Sequence, residues 1–127
     1  MASTNRIFIA DDDEDILSSM AMILEFAGYD VRTTSDCKTI VSQLTDRPDL
    51  ILLDVWMSGC NGAEICREIK ANPQLSNTPV LLVSASHEVA QFAKAAGADG
   101  FLEKPFEMTT LLDKVAHHLE EQGRQVS

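Results

Sequence analysis

No stretch of this 127-residue chain approaches the roughly 20 apolar residues that a helix needs to cross a bilayer. Met1 to Arg6 lack the basic start and apolar stretch of a secretion signal, so a soluble, cytoplasmic protein is expected. Positive charge is scarce. Ten basic residues stand against 20 acidic ones, and the formal net charge of −10 opposes binding to nucleic-acid phosphates or to an anionic membrane surface. Partners are therefore expected to be proteins. Cys37, Cys60 and Cys66 are odd in number and show neither CxxC spacing nor a histidine at a zinc-binding interval. Three reduced thiols are the expectation. Internal repeats, low-complexity tracts and linkers are also lacking. The length suits one domain spanning residues 1–127, with a core over about 6–121 and frayed ends at 2–5 and 122–127.

What is present is an alternation of two periodicities. Ile7-Phe8-Ile9-Ala10, Leu50-Ile51-Leu52-Leu53 and Val80-Leu81-Leu82-Val83 are continuous apolar runs of strand length, the pattern of strands covered on both faces. Tyr29 to Thr33 alternates in polarity and Gly100-Phe101-Leu102 is short, so both suit sheet edges. Between them, Ile16, Leu17, Met20, Ile23, Leu24 and Ala27 line one helix face, with Gly28 as a left-handed stop. Cys37, Ile40, Val41 and Leu44 repeat the pattern before Pro48. Ile65, Cys66 and Ile69 mark a third helix, Val89 to Ala96 a fourth, and Met108 to Leu119 the last. Five βα units predict an α/β fold: a five-stranded, doubly wound parallel sheet of order 2-1-3-4-5 with helices on both faces.

In such a sheet the C-terminal ends of the strands converge on one crevice, where these folds bind ligands. Asp11, Asp12, Asp54, Ser84 and Lys104 each fall at or just beyond such an end. Asp13, Glu14 and Asp15 have a structural explanation, as cap and dipole partners of the first helix. Asp11 and Asp12 end the strand itself and can face Asp54. Two carboxylates about 4 Å apart repel by roughly 4 kcal/mol at an effective dielectric of about 20, so three together call for a cation or partial protonation. Oxygen-only ligands indicate Mg²⁺ or Mn²⁺. Asp54, exposed at the sheet edge, can then attack a phosphorus atom in line, with Lys104 and Ser84 holding phosphoryl oxygens.

These residues sit in segments that strongly resemble the receiver domain of bacterial two-component response regulators, a flavodoxin-like fold. The matching segments are Ile7 to Asp12, Leu52 to Met57 with Gly62, Val83-Ser84-Ala85, and Lys104-Pro105-Phe106. The resemblance implies that Asp54 is the phosphoacceptor, that Asp11 and Asp12 form the acidic pair at the metal, and that the Trp56 backbone carbonyl completes its shell. It implies that Ser84 and Lys104 bind the phosphoryl group, that Phe101 is the switch aromatic, and that the Lys104-Pro105 bond is cis. It further implies a histidine kinase or histidine phosphotransfer protein as donor and a downstream protein effector met through the fourth helix, fifth strand and last helix. A phosphorylation-dependent dimer stays open. The protein would catalyse its own phosphorylation and dephosphorylation but would not be an enzyme acting on a separate metabolite.

Ser58 stands where proline commonly follows the Met of this loop, and Cys60-Asn61 replaces a common Met-Asp pair. Without proline the loop has more freedom, and ordering on metal binding is expected. Trp56 and Ser86 lie two residues beyond Asp54 and Ser84, at places that in the family govern how quickly water removes the phosphoryl group. His87, His117 and His118 are read as surface residues without a role. A flavodoxin-type cofactor site would need a Gly, Ser and Thr-rich loop after the first strand, where this chain has acids. A haloacid-dehalogenase-type phosphohydrolase would need a second Asp two residues after Asp54, where this chain has Trp56. A degenerate receiver acting as a constitutive docking module remains the alternative.

Overall fold

The three continuous apolar runs become the central strands β1 (Arg6–Ala10), β3 (Leu50–Asp54) and β4 (Val80–Ser84). The edges are β2 (Asp30–Thr34) and β5 (Gly100–Glu103). All neighbours pair in parallel, in the order β2-β1-β3-β4-β5, as the alternation of periods predicts. This computed structural model describes residues 5–126, with side chains described through Glu120. Of the ends expected to fray, 2–4 and 127 lie outside the described residues, while the backbone of 122–126 continues the last helix.

Because side chains alternate across a strand, each central strand feeds two cores at once. Phe8, Ala10, Ile51, Leu53, Val80 and Leu82 face one layer, where they pack with α2 (Gly62–Ala71) and α3 (Val89–Ala96). Ile7, Ile9, Leu50, Leu52, Leu81 and Val83 face the other, against α1 (Glu14–Phe26) and α4 (Met108–Val126). Fully burying a side chain of this size stabilises by about 1.5–3 kcal/mol, so slipping any central strand by one residue would exchange two complete cores. That fixes the register, and with it the position of every strand end.

Local chemistry sets the helix boundaries. The Asp13 carboxylate accepts from the Asp15 and Ile16 N–H groups at 3.0 and 3.2 Å, capping α1 as predicted. Gly28 (φ 103°) and Gly97 (φ 76°) take the left-handed conformation just past α1 and α3. The helix predicted over Cys37 to Leu44 is instead two 3₁₀ turns, Cys37–Thr39 and Val41–Asp46. The cause lies in the polar residues between its apolar ones. Asp36 caps Lys38, Thr39 Oγ1 donates to the Asp36 carbonyl, and Ser42 Oγ donates to the Thr39 carbonyl. Such bonds offer the backbone an alternative to a continuous helix, and Arg47 in the left-handed region (φ 48°) ends it.

No helix among the described residues is long and apolar enough to cross a membrane. One cysteine expectation is corrected. Cys37 and Cys60 are joined by a disulfide across a sequence separation of 23, and only Cys66, fully buried, is free. Linear spacing concealed the pair, because the chain after β2 and the loop after β3 meet only once the sheet has formed.

Candidate functional site

Asp11 follows the last residue of β1, and its N–H donates to the Thr34 carbonyl at 3.2 Å, extending the ladder to β2. This holds Asp11 and Asp12 at the mouth between β1 and β3. Asp54 is itself the last residue of β3, paired with Val83. Ser84 ends β4 opposite Glu103, and Lys104 follows β5, its N–H donating to the Ser84 carbonyl at 2.8 Å. The next bond, Lys104-Pro105, is cis. Asp11, Asp12, Asp54, Trp56, Ser84 and Lys104, scattered over nearly a hundred residues of sequence, thus line one crevice with Ser86 at its rim.

Carboxylate oxygens of Asp11, Asp12 and Asp54 lie within 4.8 Å of one another. Asp11 and Asp54 are buried while Asp12 is exposed, so the cluster opens to solvent on one side. Lys104 Nζ donates to Asp11 Oδ2 at 2.8 Å and lies 3.5 Å from Asp54 Oδ1. Burial pulls the Lys104 ammonium toward neutrality, but its bond to Asp11 and the charge of Asp54 outweigh this and raise its pKa. Burial, followed by repulsion from Asp11, pushes the Asp54 carboxyl up to about 6 despite the opposing pull of Lys104. One ammonium against three carboxylates leaves a negative excess. An oxygen-only donor set with one solvent-facing member fits a hard divalent cation that keeps part of its water shell.

The loop that carries Trp56 takes a regular form without the proline. Trp56–Met57 and Cys60–Asn61 form an antiparallel hairpin across Ser58 and Gly59, the latter at φ 83°. The Ser58 N–H donates to Asp12 Oδ2 at 2.8 Å, tying the hairpin to the acidic pair. Asn61 caps α2 through a bond from the Ala63 N–H. Gly62 is required by proximity rather than by dihedral: a Cβ there would collide with the Asp54 carbonyl oxygen and lie 2.9 Å from Val55 Cα.

Ser84 is buried and its Oγ accepts from the Ser86 N–H at 3.1 Å. Phe101 lies one strand away, half-buried, outside the residues that line the crevice. The Lys114 ammonium sits 4.5 Å from the Phe101 ring centroid and donates to the Phe101 carbonyl at 2.7 Å. Of the histidines given no role, His87 pairs with Glu103 Oε2 at 2.7 Å, and the His117 and His118 rings meet edge to face.

Three contacts were beyond reading from the sequence: the Ser58 amide on Asp12, the Lys114 contact with Phe101, and an edge-to-face pair between Trp56 and Phe92 of α3. Phe92 carries the i+3 spacing of a core position, which concealed that its ring also reaches the hairpin.

Residues 7–116 match the response regulator receiver domain. Among curated proteins, the response regulator MprA of Mycolicibacterium vanbaalenii is 34% identical over 113 residues, covering 87% of this chain and 48% of that protein. The chain thus spans about half the length of the curated relatives it matches. Among solved structures, a CheY-like response regulator receiver domain protein from Methanospirillum hungatei superposes with a TM-score of 0.89 at 30% identity, covering 97% of this chain and 99% of that one. The receiver domain of NtrX from Brucella abortus superposes with a TM-score of 0.82 at 34% identity, over 90% of this chain and 98% of that one.

Proposed function

Since this chain belongs to the response regulator receiver domain family, we propose that it is a cytoplasmic signalling switch that accepts a phosphoryl group on Asp54 and signals by altered protein contacts. The observation that carries this reading is the convergence of Asp54 with Asp11, Asp12 and Lys104, a carboxylate poised between two acids and one ammonium.

An Asp54 oxygen attacks the phosphorus of a phosphohistidine on a histidine kinase or phosphotransfer protein. The P–N bond breaks, the imidazole leaves, and an acyl phosphate forms. Asp11, Asp12, Asp54 and the Trp56 carbonyl would hold Mg²⁺ or Mn²⁺. The cation supplies neutralisation of charge on the equatorial oxygens during transfer. Lys104 moves its attraction from the Asp54 carboxylate to a phosphoryl oxygen, a short displacement from its present 3.5 Å. Ser84 gives up the bond from the Ser86 amide and donates its hydroxyl to another oxygen.

The space Ser84 vacates lets Phe101 turn inward, which alters the face made by α3, β5 and α4 that meets the downstream effector. A hydrogen bond to a charged group is worth about 1.5–3 kcal/mol, enough to shift a two-state population about tenfold or more. Intact-mass spectrometry after incubation with acetyl phosphate and Mg²⁺ tests the reading. One phosphoryl adduct, absent without divalent cation, is expected. No adduct with either acetyl phosphate or a histidine-phosphorylated donor would hand the protein to the constitutive-docking alternative.

A further inference from the structure

The disulfide lies where it can act on the phosphorylation loop. Cys60 is in the second arm of the hairpin, directly opposite Met57 and one residue before Asn61, which pairs with Trp56. Cys37 begins the 3₁₀ turn after β2, held by the Asp36 cap at its start, and its side chain is buried. The bond therefore anchors the hairpin to the body of the domain at Cα–Cα 6.1 Å. At the turn of the same hairpin the Ser58 N–H grips Asp12, and in its first arm stands Trp56. Beyond its own ladder and the buried Met57, this loop is tied to the rest of the chain by one covalent bond, one hydrogen bond to an acid, and the Trp56–Phe92 contact. With no proline to stiffen it, loss of the covalent bond leaves the loop held by non-covalent contacts alone.

We propose that Cys37 and Cys60 form a reversible redox modification site that controls how well the Trp56–Asn61 hairpin is ordered around Asp12 and Asp54. The coupling to phosphorylation rests on the receiver reading above. A disulfide in an intracellular protein is more often transient and sensing than structural. Both sulfurs touch one apolar layer, Cys37 within it and Cys60 against it, while the other layer contains neither. Cys66 does not compete: it is fully buried, and burial pushes its thiol up to about 11.

The oxidant class is a hydroperoxide. The half-buried Cys60 thiolate attacks the peroxide oxygen, the O–O bond breaks, and after protonation of the leaving oxygen water departs from a sulfenic acid. The Cys37 sulfur then attacks the Cys60 sulfur, the S–O bond breaks, and a second water leaves with the Cys37 proton. Two thiols and one hydrogen peroxide give one disulfide and two waters. A dithiol reverses this by two thiol–disulfide exchanges, itself becoming the disulfide. In the reduced protein the hairpin opens more often, so the carbonyl of Trp56 and the amide of Ser58 spend less time in place and cation binding carries a larger ordering cost.

The experiment compares peroxide-treated and dithiothreitol-reduced protein, with Cys37→Ser as a third sample. Thiol alkylation followed by mass spectrometry should find one reactive group fewer per cysteine of the pair after peroxide. Amide hydrogen exchange over residues 55–62 should be about three- to tenfold slower in the oxidised protein, with Cys37→Ser matching the reduced state under both treatments. Phosphoryl adduct formation from acetyl phosphate should be faster in the oxidised protein by a similar factor. Full alkylation of Cys37 and Cys60 after peroxide, or hairpin exchange equal in the two redox states, would overturn the proposal. If hairpin exchange depends on redox state but neither state takes a phosphoryl group, the redox site stands and the phosphoacceptor reading falls.

Discussion

The indole of Trp56 meets the ring of Phe92 edge to face, centroids 5.6 Å apart and planes at 90°. This contact joins the loop after the candidate phosphoacceptor to α3, an element of the face proposed to meet the effector, and it holds a half-exposed Trp56 over one side of the crevice. We expect a ring in that position to shield an acyl phosphate on Asp54 from in-line water. Trp56→Asn should therefore lose its phosphoryl group faster than wild type. Phe92→Ala should act in the same direction by about two- to tenfold, the equivalent of one aromatic pair. Loss of adduct mass after removal of the phosphodonor gives both rates. Equal rates in wild type and Trp56→Asn would remove the shielding role.

Lys104 neutralises a nearly inaccessible Asp11. Replacing it with methionine keeps the stem and leaves that charge buried without its partner. In metal-free buffer, Lys104→Met should be less stable by about 3–5 kcal/mol in urea unfolding. Added Mg²⁺ should restore part of the loss, because a cation among Asp11, Asp12 and Asp54 replaces the missing positive charge. A substitution neutral in both conditions would mean that the ammonium contributes nothing to the cluster.

Asp54 gives a pH dependence of defined sign. Its carboxyl is pushed from 3.8 to about 6, so between those values the folded chain holds a proton that the unfolded chain has released. Stability then falls as pH rises through this window, and the loss is complete above about pH 6. Without divalent cation, Asp54→Asn should exceed wild type by about 2–3 kcal/mol near neutrality, with the gap closing as the pH approaches about 4. Urea midpoints across that range in the presence of a chelator test this. A gap independent of pH would place the strain elsewhere than in the Asp54 charge.

Gly62→Ala should cost about 1–3 kcal/mol, because the new methyl can be housed only by moving the backbone at Asp54 and Val55. It should also slow phosphorylation. Gly97→Ala is the control: its φ of 76° imposes strain, but outside its own stretch of backbone no atom lies within 4 Å of the added carbon. That variant should lose stability while keeping wild-type phosphorylation per folded molecule.

The convergence of Asp11, Asp54, Ser84 and Lys104 was legible in the sequence because each terminates an apolar run, and parallel strands bring such ends together. The edge strands were legible because β2 alternates in polarity and β5 is short. The segment from Cys37 to Leu44 was misread as a helix because apolar spacing was weighed without the competing backbone bonds of Asp36, Thr39 and Ser42. The Cys37–Cys60 bond, the Ser58 amide on Asp12 and the Trp56–Phe92 pair lie between segments 23 to 46 residues apart. No periodicity within one element reports such contacts; they depend on how the loop after β3 folds back across the strand ends.

Locating the phosphoryl group tests the central claim most directly. Protein treated with acetyl phosphate and Mg²⁺ is reduced with borohydride, which converts a phosphorylated aspartate to homoserine, and its peptides are sequenced by tandem mass spectrometry. Homoserine at position 54, with unmodified aspartate at 11 and 12 and no conversion in Asp54→Asn, is the predicted result. Homoserine at Asp11 or Asp12, or its persistence in Asp54→Asn, would contradict the assignment of Asp54 as phosphoacceptor.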